Sequence, residues 1–272
     1  MGDAIRVEPL TATIGAEVHE VDLAAVDDTT FDELHKAFLD HKVLFFRDQH
    51  LSVDEHIAFG RRWGELEVHP FAREGAAPEI VEIESTADQP YAASNWHSDV
   101  TWRECPSLGS ILRARVVPPV GGDTLWADAC AAYDRLSDDW KDRIEGLTAS
   151  HDWLKVFGRR LSEEEREASR EQHPVVHHPV VRTHPETGAR GIYTNRSFVT
   201  HVDDVEPEES EAILERLERA IMDPNVQCRF RWRVDSIAFW DNRCTQHFAT
   251  NDFWPGHRRV ERVTVAGDRP FA

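Results

Sequence analysis

The sequence contains a succession of short apolar or alternating segments, and this pattern limits the possible folds more than any other feature. The run VLFFR at 43–47 is continuously apolar, as in a buried strand, whereas EIVEIE at 79–84 alternates apolar and acidic residues, as in a half-exposed strand. Segments of these two kinds predict strands at 43–47, 79–84, 107–117, 179–184, 230–234, 236–240 and 262–267.

Helical patterns lie between these strands. Apolar residues recur at helical spacing in 31–41, and 207–222 carries one apolar stripe with Pro207 in its first turn. The highly charged stretch 161–172 predicts a solvated helix or a lid. Helices interspersed among short strands predict an α+β protein built on a β-sandwich or jelly roll. Because βαβ alternation and a Gly-rich phosphate loop are both missing from the sequence, a doubly wound nucleotide-binding fold is disfavoured.

Composition narrows the function classes. The 272 residues show no internal repeat or long linker, which predicts a single domain over 1–272. A formal net charge of -19 without a basic patch argues against nucleic acid as a partner. No apolar run approaches the ~20 residues that cross a bilayer, and the N-terminus lacks a signal-peptide pattern, so we expect a cytoplasmic protein without a membrane partner. The scattered cysteines are expected to be reduced thiols.

Two histidines and one aspartate are the candidate metal ligands. In NWHSDVTW, His97 and Asp99 lie two residues apart, so an extended backbone would project both side chains from one face. His247, in WDNRCTQHFA, follows an apolar strand and would complete two histidines and one carboxylate. That set binds Fe(II) on one octahedral face and leaves positions open for co-substrate and oxygen. A His-x-Asp triplet is common by chance, so the interpretation depends on all three residues.

A group of polar residues could serve a dicarboxylate co-substrate such as 2-oxoglutarate. When its keto-acid end chelates iron, its far carboxylate needs a planar bidentate donor, which arginine supplies better than lysine. Arg258 lies eleven residues after His247, and Arg262 four residues further on. Thr124 opens an apolar strand after a Gly-Gly pair and could add a hydrogen bond to the same carboxylate.

Two other metal patterns are weaker. Cys244 and His247 have the spacing of half a zinc site, but no second pair with zinc spacing accompanies them in the sequence. The histidine-rich run 173–185 is interpreted as structural, because its prolines and apolar pairs suit strands and turns.

Taken in order, the motifs resemble the TauD/TfdA family of iron(II)- and 2-oxoglutarate-dependent dioxygenases, and within it the taurine dioxygenases. The likeness covers nearly the whole chain, through WHSDVTW, GGDTLWAD, HPVVRTHPETG, IAFWDNRCTQH and the arginines beyond. It implies a double-stranded β-helix (jelly-roll) core flanked by α-helices. The residues that it implies are His97, Asp99 and His247 as catalytic iron ligands, Thr124 and Arg258 for 2-oxoglutarate, His69, Phe198 and Arg262 for substrate, and Trp153 as a further aromatic.

The resemblance also implies an activity, with Fe(II) as cofactor and 2-oxoglutarate and O2 as co-substrates. The implied reaction hydroxylates a small anionic organosulfur substrate, taurine or a related alkylsulfonate, and releases sulfite, an aldehyde, succinate and CO2. Since 71–73 and 88–94 differ from taurine dioxygenases, an alkyl sulfate ester dioxygenase and an aryloxyalkanoate dioxygenase of the same family are alternatives. A zinc hydrolase and a non-catalytic jelly-roll binding module are alternatives of other classes.

Two further expectations come from the same resemblance. Asp99 stands where halogenases of the wider superfamily have Ala or Gly, which favours hydroxylation. Family analogy predicts a homodimer or homotetramer.

Overall fold

Strands and helices follow one another irregularly in the computed structural model, which describes residues 5–68, 77–90 and 93–272. The strands are β1 Arg6–Pro9, β2 Ala16–His19, β3 Val43–Phe46, β4 Val81–Ser85, β5 Gly109–Val116, β6 Thr124–Asp128, β7 Thr148–His151, β8 Val176–Pro179, β9 Val181–Thr183, β10 Arg190–Ile192, β11 Val199–Val202, β12 Gln227–Phe230, β13 Ile237–Asp241, β14 Thr245–Ala249 and β15 Arg258–Val265. The α-helices are α1 Asp28–His41, α2 Val53–Arg61, α3 Ala129–Asp134, α4 Asp138–Ile144, α5 Leu154–Phe157, α6 Glu163–Gln172 and α7 Pro207–Ile221.

The largest sheet has the strand order β1-β2-β3-β13-β5-β15-β4 and is antiparallel except where β2 pairs with β3. A second antiparallel sheet, β12-β6-β14, packs against one of its faces. Phe45 and Trp240 of the large sheet meet Trp126 and Phe230 of the second sheet in one buried cluster. These two facing sheets, with helices outside them, form the α+β jelly-roll core that the sequence predicts.

The continuous apolar run of β3 has a simple cause. Val43 and Phe45 face the second sheet, while Leu44 and Phe46 belong to the cluster that α1 and α2 cover on the opposite face. A strand buried on both faces needs apolar residues at every position, because successive side chains point to opposite sides.

The predicted helices are confirmed with small shifts at their ends. Pro207 occupies the first turn of α7, whose buried stripe includes Ile213 and Leu217. The charged helix α6 has no buried residue, as expected for a solvated helix. Helix α2 is not among the predicted helices, although Ser52 and Glu55 form a capping box whose S-x-x-E pattern is visible in the sequence.

One strand prediction is wrong over most of its length. The segment 230–234 was expected to be a strand, but β12 ends at Phe230, so the following residues lie in a loop. The last register pair of β12 and β6 joins Phe230 to Thr124, the first residue of β6. Beyond that pair β6 offers no backbone partner, and the chain turns at Asp235, which has a φ of 59°.

Other boundaries moved less. The last strand begins at Arg258, four residues before the predicted start at 262. The pattern did not predict these first residues because they are mostly charged and do not show an apolar alternation. The predicted segment 179–184 is divided between β8 and β9. Among the described helices none combines the length and the apolar character that a bilayer span requires.

Candidate metal centre and adjoining pocket

A short backbone bridge brings His97 and His247 together. The His97 N–H donates to the carbonyl oxygen of His247 at 3.1 Å, and the His247 N–H donates back to His97 at 2.8 Å. Their ring centroids are 4.1 Å apart. The backbone is therefore extended at His97, as the sequence predicts, and two histidines far apart in the chain become neighbours on β14 and on the segment before β5.

Asp99 joins the pair because the chain turns directly after it. Val100 has a φ of 47°, in the left-handed region that a β-branched residue seldom adopts. The Asp99 Oδ1 atom lies 3.9 Å from Nε2 of His247. The candidate ligand atoms of His97, Asp99 and His247 all lie within 4.8 Å of one another, and all three residues are buried.

The protonation of the three side chains suits a metal ion. The Nδ1 atom of His97 lies 2.7 Å from the carbonyl oxygen of Asn95, which can only accept, so Nδ1 carries the proton and Nε2 keeps its lone pair. Burial, together with His97, lowers the pKa of His247 to about 3, so this imidazole is neutral near pH 7. Burial raises the pKa of Asp99, but the Arg262 guanidinium and the neighbouring histidines hold it well below its ordinary value. His247 is thus a neutral imidazole and Asp99 a carboxylate, both suited to bind a metal.

The second oxygen of Asp99 is fixed by the protein. The Ser110 hydroxyl donates to Oδ2 at 2.9 Å. The backbone N–H of Asp99 donates to Oδ1 of Asn242 at 3.2 Å, and the same Asn242 oxygen accepts from Trp240 Nε1 at 3.0 Å. The carboxylate is therefore oriented with Oδ1 toward His247. Neither Ser110 nor Asn242 was singled out in the sequence, because their role depends on contacts between distant segments.

A pocket of about 90 Å³ opens beside the three ligand candidates. Apart from the three ligand candidates, the lining is apolar except for two arginines and one threonine. The lining residues are Ile83, Ala93, His97, Asp99, Leu112, Thr124, Trp240, His247, Ala249, Arg258, Val260 and Arg262. Six residues predicted from the sequence are thus brought together.

The two arginines lie on one face of β15, since residues four apart on a strand point the same way. The Arg262 Nη1 donates to Asp99 Oδ1 at 3.2 Å. Arg258 is only 9% exposed, and within the described residues no carboxylate forms an ion pair with it. Burial lowers the pKa of Arg258 to about 10, so it remains charged near pH 7. It is a buried cation for which residues 5–68, 77–90 and 93–272 offer no ion-pair partner.

Thr124 lies across the pocket at the start of β6. Its Oγ1 accepts a hydrogen bond from Trp232 Nε1 at 3.0 Å. The Gly-Gly pair before it forms the predicted turn, with φ of 77° at Gly121 and 73° at Gly122. A side chain at either position would be strained there.

Two predicted substrate-side residues, Phe198 and Trp153, do not line this pocket. Phe198 is buried and packs against Phe157 at a centroid distance of 6.3 Å. Trp153 lies against Phe157 and His173. His69 lies outside the described residues.

A second cluster of possible ligands, formed by His184, Asp241 and Cys244, has a different character. The Nδ1 atom of His184 accepts from two backbone N–H groups, so its Nε2 carries the proton and donates to Asp241 at 3.0 Å. Asp241 also accepts from Arg243 at 2.7 and 2.8 Å. The lone pairs that a metal would need are in use, which agrees with the structural interpretation of the histidine-rich run.

Comparison with known proteins decides the family. A protein-family model described as "Taurine catabolism dioxygenase TauD, TfdA family" matches residues 6–264 of the sequence. The chain belongs to the TauD/TfdA family. Its relatives include an alkylsulfatase of Acinetobacter baylyi, 33% identical with 97% of this chain and 86% of the relative covered. An (S)-phenoxypropionate/alpha-ketoglutarate-dioxygenase of Sphingobium herbicidovorans is 35% identical, with 98% and 97% covered.

Solved structures agree with the TauD/TfdA assignment. A taurine dioxygenase from Burkholderia xenovorans superposes with a TM-score of 0.86 at 37% identity, covering 99% of this chain and 93% of that one. The crystal structure of AAD-2 in complex with Mn(II) and N-oxalylglycine gives 0.86 at 27% identity, covering 99% and 100%. The protein is therefore a non-haem iron, 2-oxoglutarate-dependent dioxygenase, and not a zinc hydrolase or a binding module.

Proposed function

We propose that the enzyme hydroxylates an alkylsulfonate at the carbon that bears sulfur, with Fe(II) held by His97, Asp99 and His247. Arg258 and Thr124 bind the distal carboxylate of 2-oxoglutarate, and Arg262 binds the substrate anion. One observation carries the proposal: a single pocket contains both the cluster of three ligand atoms and a buried arginine that has no ion-pair partner in the described part of the chain.

The donor set fits Fe(II), because two neutral imidazoles and one carboxylate are its common ligands in oxygenases. When bound, the metal supplies the redox chemistry that couples O2 to oxidation of both the co-substrate and a substrate C–H bond. The protein's residues supply position. Ser110 keeps Asp99 Oδ2 in a hydrogen bond, so that Oδ1 remains directed at the centre.

The buried charge of Arg258 supports a dicarboxylate as the co-substrate. An uncompensated guanidinium is unfavourable in an apolar pocket, and a carboxylate that enters beside it forms charge-assisted, bidentate hydrogen bonds. Thr124 lines the same pocket and can donate its hydroxyl proton to the same carboxylate. The two residues thereby hold the far end of 2-oxoglutarate while its keto-acid end reaches the metal site.

The remaining lining supports a substrate with an anionic head and an apolar body. Arg262 is the second arginine of the pocket, whereas Ile83, Leu112 and Val260 offer only apolar contacts. Among the described lining residues Asp99 is the only carboxylate, and it is assigned to the metal, so an ammonium group such as that of taurine finds no free carboxylate there. This favours alkylsulfonates without an amine over taurine. His69 and Phe198 remain predicted substrate contacts.

The overall reaction balances when one atom of O2 enters succinate and the other enters the hydroxylated substrate. 2-Oxoglutarate, O2 and R–CH2–SO3⁻ give succinate, CO2 and R–CH(OH)–SO3⁻. The hydroxysulfonate then loses its O–H proton as the C–S bond breaks, giving R–CHO and sulfite.

A second candidate substrate is an alkyl sulfate ester. It is favoured by the alkylsulfatase of Acinetobacter baylyi and by an alpha-ketoglutarate-dependent sulfate ester dioxygenase of Pseudomonas putida, which is 33% identical over 98% of this chain. Hydroxylation of the carbon next to the ester oxygen would release sulfate and an aldehyde. The apolar lining fits both substrates equally well.

The test begins with anaerobic absorption spectra of the purified protein with Fe(II) and 2-oxoglutarate. We expect a weak visible charge-transfer band that is lost in His97→Ala and kept in the control His201→Ala, since His201 is exposed. Iron binding without any such band would contradict the proposed co-substrate site.

Substrate class follows from turnover with matched alkylsulfonates and alkyl sulfates of equal chain length. One equivalent of sulfite per succinate supports the first candidate, and one equivalent of sulfate supports the second. Succinate formation stimulated only by an aryloxyalkanoate would overturn both.

A further inference from the structure

We propose that Trp232 is a positioning residue for 2-oxoglutarate, acting on its distal carboxylate through Thr124 and Arg258. The inference rests on the proposed function of the pocket. Trp232 does not line the pocket but lies behind it, in the loop that follows β12. Its indole is nevertheless in contact with both residues assigned to that carboxylate.

The indole N–H decides the direction of the Thr124 hydroxyl. Trp232 Nε1 lies 3.0 Å from Thr124 Oγ1, and an indole nitrogen can only donate. The hydroxyl therefore accepts on that side, and its own proton is directed elsewhere. Thr124 is 3% exposed and faces the pocket, so a carboxylate placed there meets a donor rather than a lone pair.

The ring of the same indole faces Arg258. The guanidinium carbon lies 5.9 Å from the Trp232 ring centroid, within the range of a cation–π contact. The Arg258 side chain is also close to Gly122, where an added Cβ would lie 3.5 Å from Cδ. The buried side chain thus has a turn beside its Cδ and an aromatic ring beside its guanidinium, and both limit its orientations before any anion binds.

Trp232 itself is held firmly. It is 4% exposed, packs edge-on against Phe230 at 5.2 Å and lies 6.3 Å from Trp126. A rigid support that orients a binding group lowers the entropy lost on binding. One indole therefore pre-orients a neutral donor and a cation for the same ligand group.

The deciding variant is Trp232→Phe, which keeps an aromatic ring beside Arg258 but removes the N–H. We expect the Kd for 2-oxoglutarate to rise about three- to tenfold, the range of a single neutral hydrogen bond. It is measured by calorimetry with Mn(II), and again with N-oxalylglycine in place of 2-oxoglutarate, so no turnover is needed. In turnover, KM for 2-oxoglutarate should rise while kcat and the KM of the prime substrate change little.

The mechanism of the effect is tested with Thr124→Val and with the double variant. If the indole acts through the hydroxyl, Trp232→Phe added to Thr124→Val should cause no further loss of 2-oxoglutarate affinity beyond that of Thr124→Val alone. A matched control is Trp63→Phe, because Trp63 packs on the cluster under α1 and α2, does not line the pocket, and its Nε1 has no hydrogen-bond partner among the described residues. We expect it to leave 2-oxoglutarate affinity unchanged.

The outcomes separate this inference from the proposed function. If Thr124→Val weakens 2-oxoglutarate binding and Trp232→Phe does not, or if the two losses simply add, the role of Trp232 is refuted and the pocket assignment stands. If 2-oxoglutarate fails to bind the unaltered protein with Mn(II), the pocket assignment itself fails.

Discussion

Asp99 is a residue whose two oxygens face different surroundings. Oδ2 is bound to the Ser110 hydroxyl, whereas Oδ1 lies near His247 Nε2 and Arg262 Nη1. These different contacts of the two oxygens fix the orientation of the Asp99 carboxylate before a metal binds. Substitution of residues that orient a metal ligand in this way typically lowers metal affinity about 10- to 100-fold.

Removing the hydroxyl in Ser110→Ala should therefore weaken metal binding. We expect the Kd for Fe(II) or Mn(II) to rise about tenfold, because Asp99 gains freedom to rotate and loses a hydrogen bond. The measurement is anaerobic titration calorimetry. Ser107→Ala serves as control, since Ser107 is equally buried but donates to Glu67 instead. Equal effects of the two variants would mean that only general packing is involved.

Arg258 is expected to bind the co-substrate at a cost in the stability of the free protein. Replacing it by methionine in Arg258→Met removes a buried charge without an ion-pair partner among the described residues, and should raise Tm by a few degrees in the absence of 2-oxoglutarate. The same variant should lose the further rise in Tm that 2-oxoglutarate and Mn(II) give the unaltered protein. Differential scanning calorimetry with and without ligand measures both.

The matched control is Arg182→Met, because Arg182 is also buried but pairs with Asp268 at 2.8 Å. Removing one partner of such a pair should lower Tm. A lower Tm in Arg258→Met as well would show that its charge is compensated in the free protein.

At the scale of elements, strand β15 carries the two arginines of the pocket and helix α2 packs against the other face of that strand. One face of β15 presents Arg258 and Arg262 to the pocket, while Val263 on its other face packs under α2. The helix contributes Ile57 and Phe59 to that cluster. Correct placement of both arginines thus depends on a helix that never reaches the site.

The start of α2 depends on its capping box. Ser52 accepts from the Glu55 N–H at 3.2 Å, and the Glu55 carboxylate accepts from the Ser52 N–H at 2.7 Å. Ser52→Ala should lower the free energy of unfolding by about 1 kcal/mol. In urea titrations the control Ser137→Ala, at the start of α4, should have little effect, because Ser137 makes no side-chain cap bond. Equal losses in both variants would contradict the capping argument.

Considered as a whole, the molecule places its candidate centre between two sheets and covers the outer face of the larger sheet with helices. This architecture buries several histidines completely. His56 of α2 is fully buried, with its Nε2 donating to the carbonyl oxygen of Ile111 at 3.2 Å. Burial lowers the pKa of His56 to about 4, against 6.5 in an unfolded chain.

Stability should consequently fall in mildly acidic solution. Between pH 6.5 and 4 the unfolded chain protonates His56 and the folded chain does not. The contribution of neutral, buried His56 to the free energy of unfolding is therefore complete above about pH 6.5 and is lost as the pH drops toward 4. The full effect is on the order of 3 kcal/mol. Urea unfolding of His56→Gln should show a shallower dependence on pH over this window.

An exposed histidine supplies the comparison. His201→Gln should retain the pH dependence of the unaltered protein, because its side chain lies largely in solvent in the folded state as well. If His56→Gln and the unaltered protein lose stability in parallel, other groups are responsible for the acid sensitivity.

The sequence by itself determined what depends on local pattern and on order along the chain. Alternation and apolar runs predicted most strands, and Pro207 with its apolar stripe predicted α7. The order and spacing of five motifs, from WHSDVTW to the arginines beyond His247, indicated the family, although each motif is weak by itself. The charge of -19 gave no information on the fold, since net charge acts on solubility rather than topology.

Only the tertiary structure decided which distant groups touch. Ser110 reaches Asp99 because the chain turns after Asp99 and returns as β5, and Trp232 reaches Thr124, 108 residues away, because β12 pairs with β6. The strand predicted at 230–234 is wrong because backbone pairing requires a partner strand. The antiparallel partner β6 begins at Thr124, opposite Phe230, and supplies no residue beyond that pair. Local propensity cannot encode these contacts, because they depend on where other elements end.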